Sequence, residues 1–159
     1  MNAQIKILKA DIGADLAAIA EIYTALDRHA AHLQDEAQRI AAAYYLHNLY
    51  CAFESIFQRI AAVFGNHLED RAGWHAELLH RMTLDIEGIR PRVLSASAYD
   101  SLDELRRFRH VFRSAYRLQL DVDRLALVVR KARALQTVYE ADLHPFIAFL
   151  DELAQSQDL

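Results

Sequence analysis

A concentration of arginines in the second half of the chain is the feature most capable of chemistry. Between Leu105 and Tyr116 the cationic or ionisable side chains are Arg106, Arg107, Arg109, His110 and Arg113, and Arg117 follows directly. From Glu104 to Arg117, five arginines against one glutamate give a local charge of +4, whereas the whole chain carries −4. This local reversal of sign predicts contact with a partner that carries phosphate or carboxylate groups.

The spacing within this segment indicates a helix with one cationic face. Apolar residues recur in the pattern of a face turned toward a core, at Leu105, Phe108, Phe112 and Ala115. The remaining surface carries a continuous stripe formed by Arg106, His110, Arg113 and Arg117. Like charges four residues apart repel by roughly 0.2–0.5 kcal/mol, so an anion lying over the stripe would explain the arrangement. The alternative is a solvated face whose arginines are neutralised by nearby acids, namely Asp100, Asp103 and Glu104.

A second set of polar side chains follows one line along an otherwise apolar helix. Its members are His47, Cys51, Glu54 and Gln58. Because buried polar groups are costly unless they are paired, this line predicts a hydrogen-bond network, a metal site or a stripe facing a cleft. We expect Glu54 to pair with an arginine of the cationic helix and to hold its guanidinium in position. Elsewhere, histidine pairs such as His29 and His32 lack the further ligands of a tetrahedral site, so we predict no metal ion.

Five helices and no strand are predicted to position these residues, as an up-and-down bundle. The expected ranges are 12–33, 36–67, 74–87, 99 to 118–120, and 121–154. Ser101 and Glu104 have the spacing of a capping box, and Pro145 is expected to kink the last helix. The second helix is apolar around most of its circumference, which predicts burial against several neighbours or against another subunit.

Length and composition indicate one domain without a membrane segment. The 159 residues suffice for one core, so we expect a single helical domain over residues 1–159. Cys51 is the only cysteine, so no internal disulfide can form, and we expect a cytoplasmic location. We expect neither a signal peptide nor a transmembrane helix. The net charge of −4 excludes a broad coating of nucleic acid, so any such contact must be local.

Residues 108–116, FRHVFRSAY, resemble the signature of HepT-like proteins of the HEPN superfamily. That signature is an arginine and a polar residue, three further residues, then histidine, any residue and tyrosine. In this chain its positions correspond to Arg109, His110, Ser114 and Tyr116. The resemblance extends to blocks at residues 44–54, 74–82 and 90–91, and it covers most of the chain from 39 to 123.

This resemblance implies a helical bundle that forms a homodimer or a higher homo-oligomer, with the motifs of two subunits facing each other across a cleft. Active members are endoribonucleases that need no metal or cofactor. Many are toxins of bacteria or archaea, encoded beside a small nucleotidyltransferase antitoxin that adenylylates the motif tyrosine, here Tyr116. We expect Arg109 to contact the scissile phosphate. We expect RNA binding from Arg106, Arg113 and Arg117, and a supporting role for His47 and Glu54.

One position departs from the signature, because Ser114 stands where the family has histidine. Metal-free RNA cleavage needs a group that accepts the 2′-hydroxyl proton, and histidine suits this role with an unperturbed pKa of about 6.5. A serine hydroxyl does not, unless another base activates it. Three explanations stay open: His110 acts as the base, the site is degenerate and only binds RNA or a partner, or the histidine was replaced to silence a toxic protein. The alternative function is therefore a non-catalytic helical adaptor or inhibitor that acts through its arginine face.

Overall fold

Six α-helices account for most of the described chain. The computed structural model describes residues 2–65, 72–114 and 119–156, apart from the side chains of Asn2 and Ser114. The helices are α1 (Asn2–Ala30), α2 (Glu36–Val63), α3 (Trp74–Arg81), α4 (Ala96–Ser114), α5 (Val122–Gln136) and α6 (Tyr139–Ser156). In these ranges the β pairing is confined to an isolated bridge between Ile86 and Arg90. The predicted all-α bundle is confirmed, with six helices in this part of the chain where about five were expected.

The first helix begins earlier than predicted. Ile5 and Leu8 are buried, and they extend the apolar stripe of Ile12 by two turns toward the N-terminus. α1 packs along α2, and it also contacts α6. The hydroxyl of Tyr23 donates a hydrogen bond to the carbonyl of Ala132 in α5 at 2.7 Å. The helix is therefore part of the main core and not a peripheral addition.

The second helix is the centre of the bundle. Asp35 caps its start, because the carboxylate accepts hydrogen bonds from the backbone N–H groups of Ala37 at 2.8 Å and Gln38 at 3.3 Å. Its sides contact α1, α3, α4 and α5. The prediction that this helix is buried against several neighbours is confirmed. It ends at Val63, before the expected position 67, and Gly65 follows with a φ of +74° that favours glycine.

The third helix ends at Arg81, and a turn replaces the predicted continuation to residue 87. The buried guanidinium of Arg90 lies against the C-terminal end of this helix. It donates hydrogen bonds to the carbonyl oxygens of Arg81 at 2.9 Å, Leu84 at 3.3 Å and Pro91 at 3.1 Å. A cation that satisfies carbonyls at a helix C-terminus stabilises the end of the helix.

The fourth helix begins at Ala96 and is capped by Ser95. The Ser95 Oγ atom accepts a hydrogen bond from the backbone N–H of Ala98 at 3.3 Å, and it donates one to Asp142 of α6 at 2.7 Å. The predicted capping box was wrong, because Ser101 is buried inside the helix. Ala98 adds a further turn to the apolar face and moves the helix start toward Ser95.

The last predicted helix is divided into α5 and α6. The interruption falls at Thr137 and Val138, and Pro145 lies inside α6, so the break comes earlier than the kink that was expected at the proline. The backbone N–H and the hydroxyl of Thr137 both donate to the carbonyl of Ala134, at 3.3 Å and 2.7 Å, which tightens the last turn of α5. Across the described ranges, no helix combines the length and apolar character needed to span a bilayer.

Candidate active site

Arg109 lies at the junction of α2 and α4 and contacts α2. Its Nε atom donates a hydrogen bond to the Sγ atom of Cys51 at 3.3 Å. Its Cζ atom lies 6.0 Å from the centre of the Tyr50 ring, within reach of a cation–π interaction. Burial alone would lower the pKa of Arg109, but the Cys51 hydrogen bond and the nearby charge of Glu54 raise it instead. The guanidinium therefore stays positively charged in a half-buried position.

Glu54 provides the buried negative charge beneath this junction. The residue is 5% exposed, and its Oε2 atom lies 2.6 Å from Nδ1 of His75 in α3. Tyr50 also shares a hydrogen bond with the carboxylate, and its pKa is raised by burial and by the charge of Glu54. We predicted an arginine of the cationic helix as the partner of Glu54. The hydrogen-bond partners are instead His75 and Tyr50, while the interaction of Arg109 with the carboxylate is electrostatic.

His47 lies on the same side of α2, one turn before Cys51. Its ring centre is 5.5 Å from that of Phe112 in α4, and its Nδ1 atom is 3.7 Å from the Sγ atom of Cys51. The pKa of His47 is lowered, first by burial and then by the positive charges of Arg109 and Arg113. At neutral pH the imidazole is therefore mostly uncharged and able to accept a proton.

Two of the predicted cationic side chains are neutralised on their own helix. Arg106 donates to the Oδ1 atom of Asp103 through both Nε, at 3.0 Å, and Nη2, at 2.9 Å. Arg107 lies 2.7 Å from the Oδ2 atom of Asp103 and 3.5 Å from Glu104. For these two residues the solvated, ion-paired face was the correct alternative. Among the described residues of this stretch, the positive charge of the site consequently rests mainly on Arg109 and Arg113.

The remaining predicted site residues are exposed or lie, wholly or in part, outside the described part of the chain. Arg113 and His110 are exposed on α4, and Ser114 is the last residue of that helix. Tyr116 and Arg117 lie outside the described residues, as does the side chain of Ser114. Of the polar line on α2, His47, Cys51 and Glu54 face the junction, whereas Gln58 is exposed. The polar line is thus a hydrogen-bonded network over three of its four positions.

A comparison with protein families identifies the relationships of the chain. A family model of HepT-like proteins matches residues 41–150, which include most of α2, all of α3 to α5 and most of α6. The chain is a HepT-like protein of the HEPN superfamily. No curated protein and no solved structure matches it. At the level of the family, membership supports a toxin-like or ribonuclease-like function of the HEPN type.

Two contributors to the site of this HepT-like protein were missed in the sequence. Tyr50 and His75 fall within the family-like blocks at residues 44–54 and 74–82, but neither was predicted to take part in the site. The signal that pointed to both was Glu54, since a carboxylate on a buried helix face requires donors. Among the described residues, no three His, Cys, Asp or Glu side chains are grouped as a metal site would need.

The HepT-like protein also exposes large apolar side chains beside the site. Ile40 and Tyr44 precede His47 on one face of α2, and they are 54% and 53% exposed. Exposed apolar residues that cluster near a polar site are typical of an interaction surface.

Proposed function

We propose that this HepT-like protein is the toxin of a bacterial or archaeal toxin–antitoxin module and acts as a metal-independent endoribonuclease. The observation that carries the proposal is the setting of Arg109. Arg106 and Arg107 contact carboxylates directly, whereas the hydrogen bond of Arg109 goes to sulfur, which is a weak acceptor. Arg109 is therefore better prepared than Arg106 or Arg107 to receive a phosphate group.

In the proposed reaction, the 2′-hydroxyl of a ribose attacks the adjacent phosphorus atom. Arg109 neutralises the negative charge that grows on the phosphate oxygens, and this role needs no proton transfer. The exposed Arg113 attracts the RNA backbone, together with Arg117 and, more weakly because of its pairing with Asp103, Arg106. His110 is the base that the motif itself offers, beside Ser114.

The proposed active form is a homodimer in which two copies of the site face a shared cleft that holds the RNA. Ile40 and Tyr44 support this arrangement, because a second copy would cover apolar surface that water now contacts. The proposed second partner is a nucleotidyltransferase antitoxin that modifies Tyr116. Since the proposed toxin acts on cellular RNA and the proposed antitoxin acts on the toxin, we propose a cytoplasmic location.

A non-catalytic adaptor or inhibitor is the second candidate. It is favoured by one observation, namely Ser114 in the position where the family has its histidine. Without a competent base the same arginines would still bind an acidic partner or RNA. In that case the protein would bind RNA, with an affinity that falls steeply with salt, and would not cleave it.

The test is cleavage of a mixture of cellular RNAs by the purified protein in the presence of a chelator. We expect the starting protein to cleave, and Arg109→Ala to reduce the rate by about 10²–10³-fold, as for loss of one transition-state donor. The matched control is Arg130→Ala, an exposed arginine of α5, which we expect to leave the rate within about twofold because most surface changes are neutral.

Two outcomes separate the candidates. If the starting protein binds RNA but does not cleave it, and Ser114→His introduces cleavage, the site is degenerate and the adaptor hypothesis replaces the ribonuclease. If Arg109→Ala and Arg130→Ala cleave equally well, Arg109 is not the phosphate-contacting group. Co-elution with the product of a neighbouring nucleotidyltransferase gene would support the toxin–antitoxin module.

A further inference from the structure

The motif offers two polar side chains, Ser114 and His110, and neither suits the role of base beside a phosphate held by Arg109. Ser114 has a hydroxyl with little tendency to accept a proton near neutral pH. His110 follows Arg109 directly in the sequence, and consecutive residues of a helix do not share a face. Arg109 contacts α2, whereas His110 is exposed. A phosphate held by Arg109 would therefore lie on a different side of α4 from His110.

We propose that His47 of α2 is the general base of this site, in place of the histidine that the motif lacks. This inference rests on the proposed ribonuclease function. Its basis is a shared contact: the Sγ atom of Cys51 lies 3.3 Å from Nε of Arg109 and 3.7 Å from Nδ1 of His47. Because both groups contact the same sulfur atom, the guanidinium and the imidazole are close to each other, on the same side of the helix junction.

The ring of His47 is also fixed relative to the motif helix. Its centre lies 5.5 Å from the ring of Phe112, which stands between Arg109 and Ser114 in the sequence. His47 thus supplies from α2 an imidazole at the helix face where the motif carries its phosphate-binding arginine. A half-buried imidazole in this position can reach a ribose hydroxyl next to the bound phosphate.

The charges around His47 suit the role of a base. The groups that face it are Cys51 on its own helix and Arg109 and Arg113 on α4. Burial and the two arginines lower the pKa of His47, so that the free imidazole is neutral and ready to accept a proton. An RNA phosphate bound to these arginines would offset their charge, which raises the proton affinity of the imidazole when the substrate is present.

The proposed step is balanced without a further reactant. The neutral imidazole of His47 accepts the proton of the 2′-hydroxyl while the 2′-oxygen forms a bond to phosphorus. The bond between phosphorus and the 5′-oxygen breaks, and that oxygen takes a proton from solvent water. The imidazolium then returns its proton to the solvent. The products are a 2′,3′-cyclic phosphate and a 5′-hydroxyl end.

The test compares histidine variants in the metal-free cleavage assay, with RNA binding measured in parallel. We expect His47→Ala to slow cleavage by about 10²–10⁴-fold, the usual contribution of a general base, with RNA affinity changed by less than about threefold. The matched control is His144→Ala, an exposed histidine of α6, which should cleave at the starting rate. Added imidazole should restore part of the activity of His47→Ala, because a small base can enter the space left by the ring.

A pH profile distinguishes a base from a structural residue. Cleavage by the starting protein should fall as the pH drops through the lowered pKa of His47, and this acid limb should disappear in His47→Ala. Cleavage that survives in His47→Ala and is lost in His110→Ala would overturn the assignment to His47 and leave the ribonuclease function intact. No cleavage by the starting protein, although His47 is present, would overturn both.

Discussion

Replacing Glu54 by glutamine isolates the effect of one buried negative charge on the fold. The Glu54 side chain is 7% exposed, and its Oε2 atom lies 2.6 Å from Nδ1 of His75. Tyr50 shares a second hydrogen bond with the same carboxylate. Glutamine has nearly the same shape as glutamate, so the substitution removes the charge and one acceptor while the packing stays almost unchanged.

The expected loss follows from the kind of hydrogen bond that is weakened. A hydrogen bond to a charged group contributes about 1.5–3 kcal/mol, against about 1 kcal/mol for a neutral one. The substitution changes two hydrogen bonds to a charged group into neutral ones. Because His75 is 27% exposed, solvent weakens the contribution of its bond. We therefore expect Glu54→Gln to lower the free energy of unfolding by about 2 kcal/mol. For a chain of this size that loss corresponds to a drop in Tm of about 4–8 °C.

The measurement is urea unfolding at one fixed protomer concentration, because the stability of the proposed dimer would depend on concentration. Glu77→Gln is the matched control. Its carboxylate lies 2.6 Å from Nη2 of Arg81, the same distance as in the buried pair, but the Glu77 side chain is 53% exposed. We expect this surface substitution to cost less than about 0.5 kcal/mol. Equal losses in the two variants would refute the reasoning that burial sets the value of the Glu54 charge.

Three further predictions concern the fold, the site and the assembly. Arg90→Ala should lower the free energy of unfolding by about 3 kcal/mol, because three carbonyl oxygens lose a charged donor. The control is Arg92→Ala at an exposed position, which should change that free energy by less than about 0.5 kcal/mol in the same urea unfolding experiment. The pKa of His47, followed by NMR, should lie below its ordinary value and rise in Arg113→Ala, since removal of a positive charge favours the protonated ring; a fall would contradict the assignment. Tyr44→Glu should dissociate the proposed dimer in sedimentation velocity without loss of helix content, and an unchanged dimer would exclude this face from the interface.

The fold class could be predicted because the strongest signals are local. The apolar circumference of α2 identified the central helix, and its predicted start at residue 36 agrees with the structure. Helix ends were predicted less well, since they depend on distant groups. The end of α3 depends on Arg90, which returns to it through a turn, and the start of α4 depends on Ser95 bonded to Asp142 of α6. Neither contact leaves a trace in the local sequence pattern.

The candidate site could be predicted only in part. Arg109 stood out through its motif, and His47 and Glu54 through their polar line on an apolar helix. The partners of these residues depend on how α2, α3 and α4 pack, so the His75 contact could not be read from spacing. The positive charge of this helix was overestimated because charges were counted along the sequence, whereas Asp103, one turn earlier, pairs with both Arg106 and Arg107.

The bond between Ser95 and Asp142 anchors α4 at the end opposite Arg109. At a rise of 1.5 Å per residue, the stretch from Ala96 to Arg109 is roughly 20 Å long. A helix held at its first turn behaves as a lever, so a tilt of about 3° displaces a group that far away by about 1 Å, enough to cost about 10²-fold in rate. Small adjustments of α6 can therefore change the position of the Arg109 guanidinium at the other end of α4, and Asp142 becomes a remote position from which the proposed activity could be adjusted.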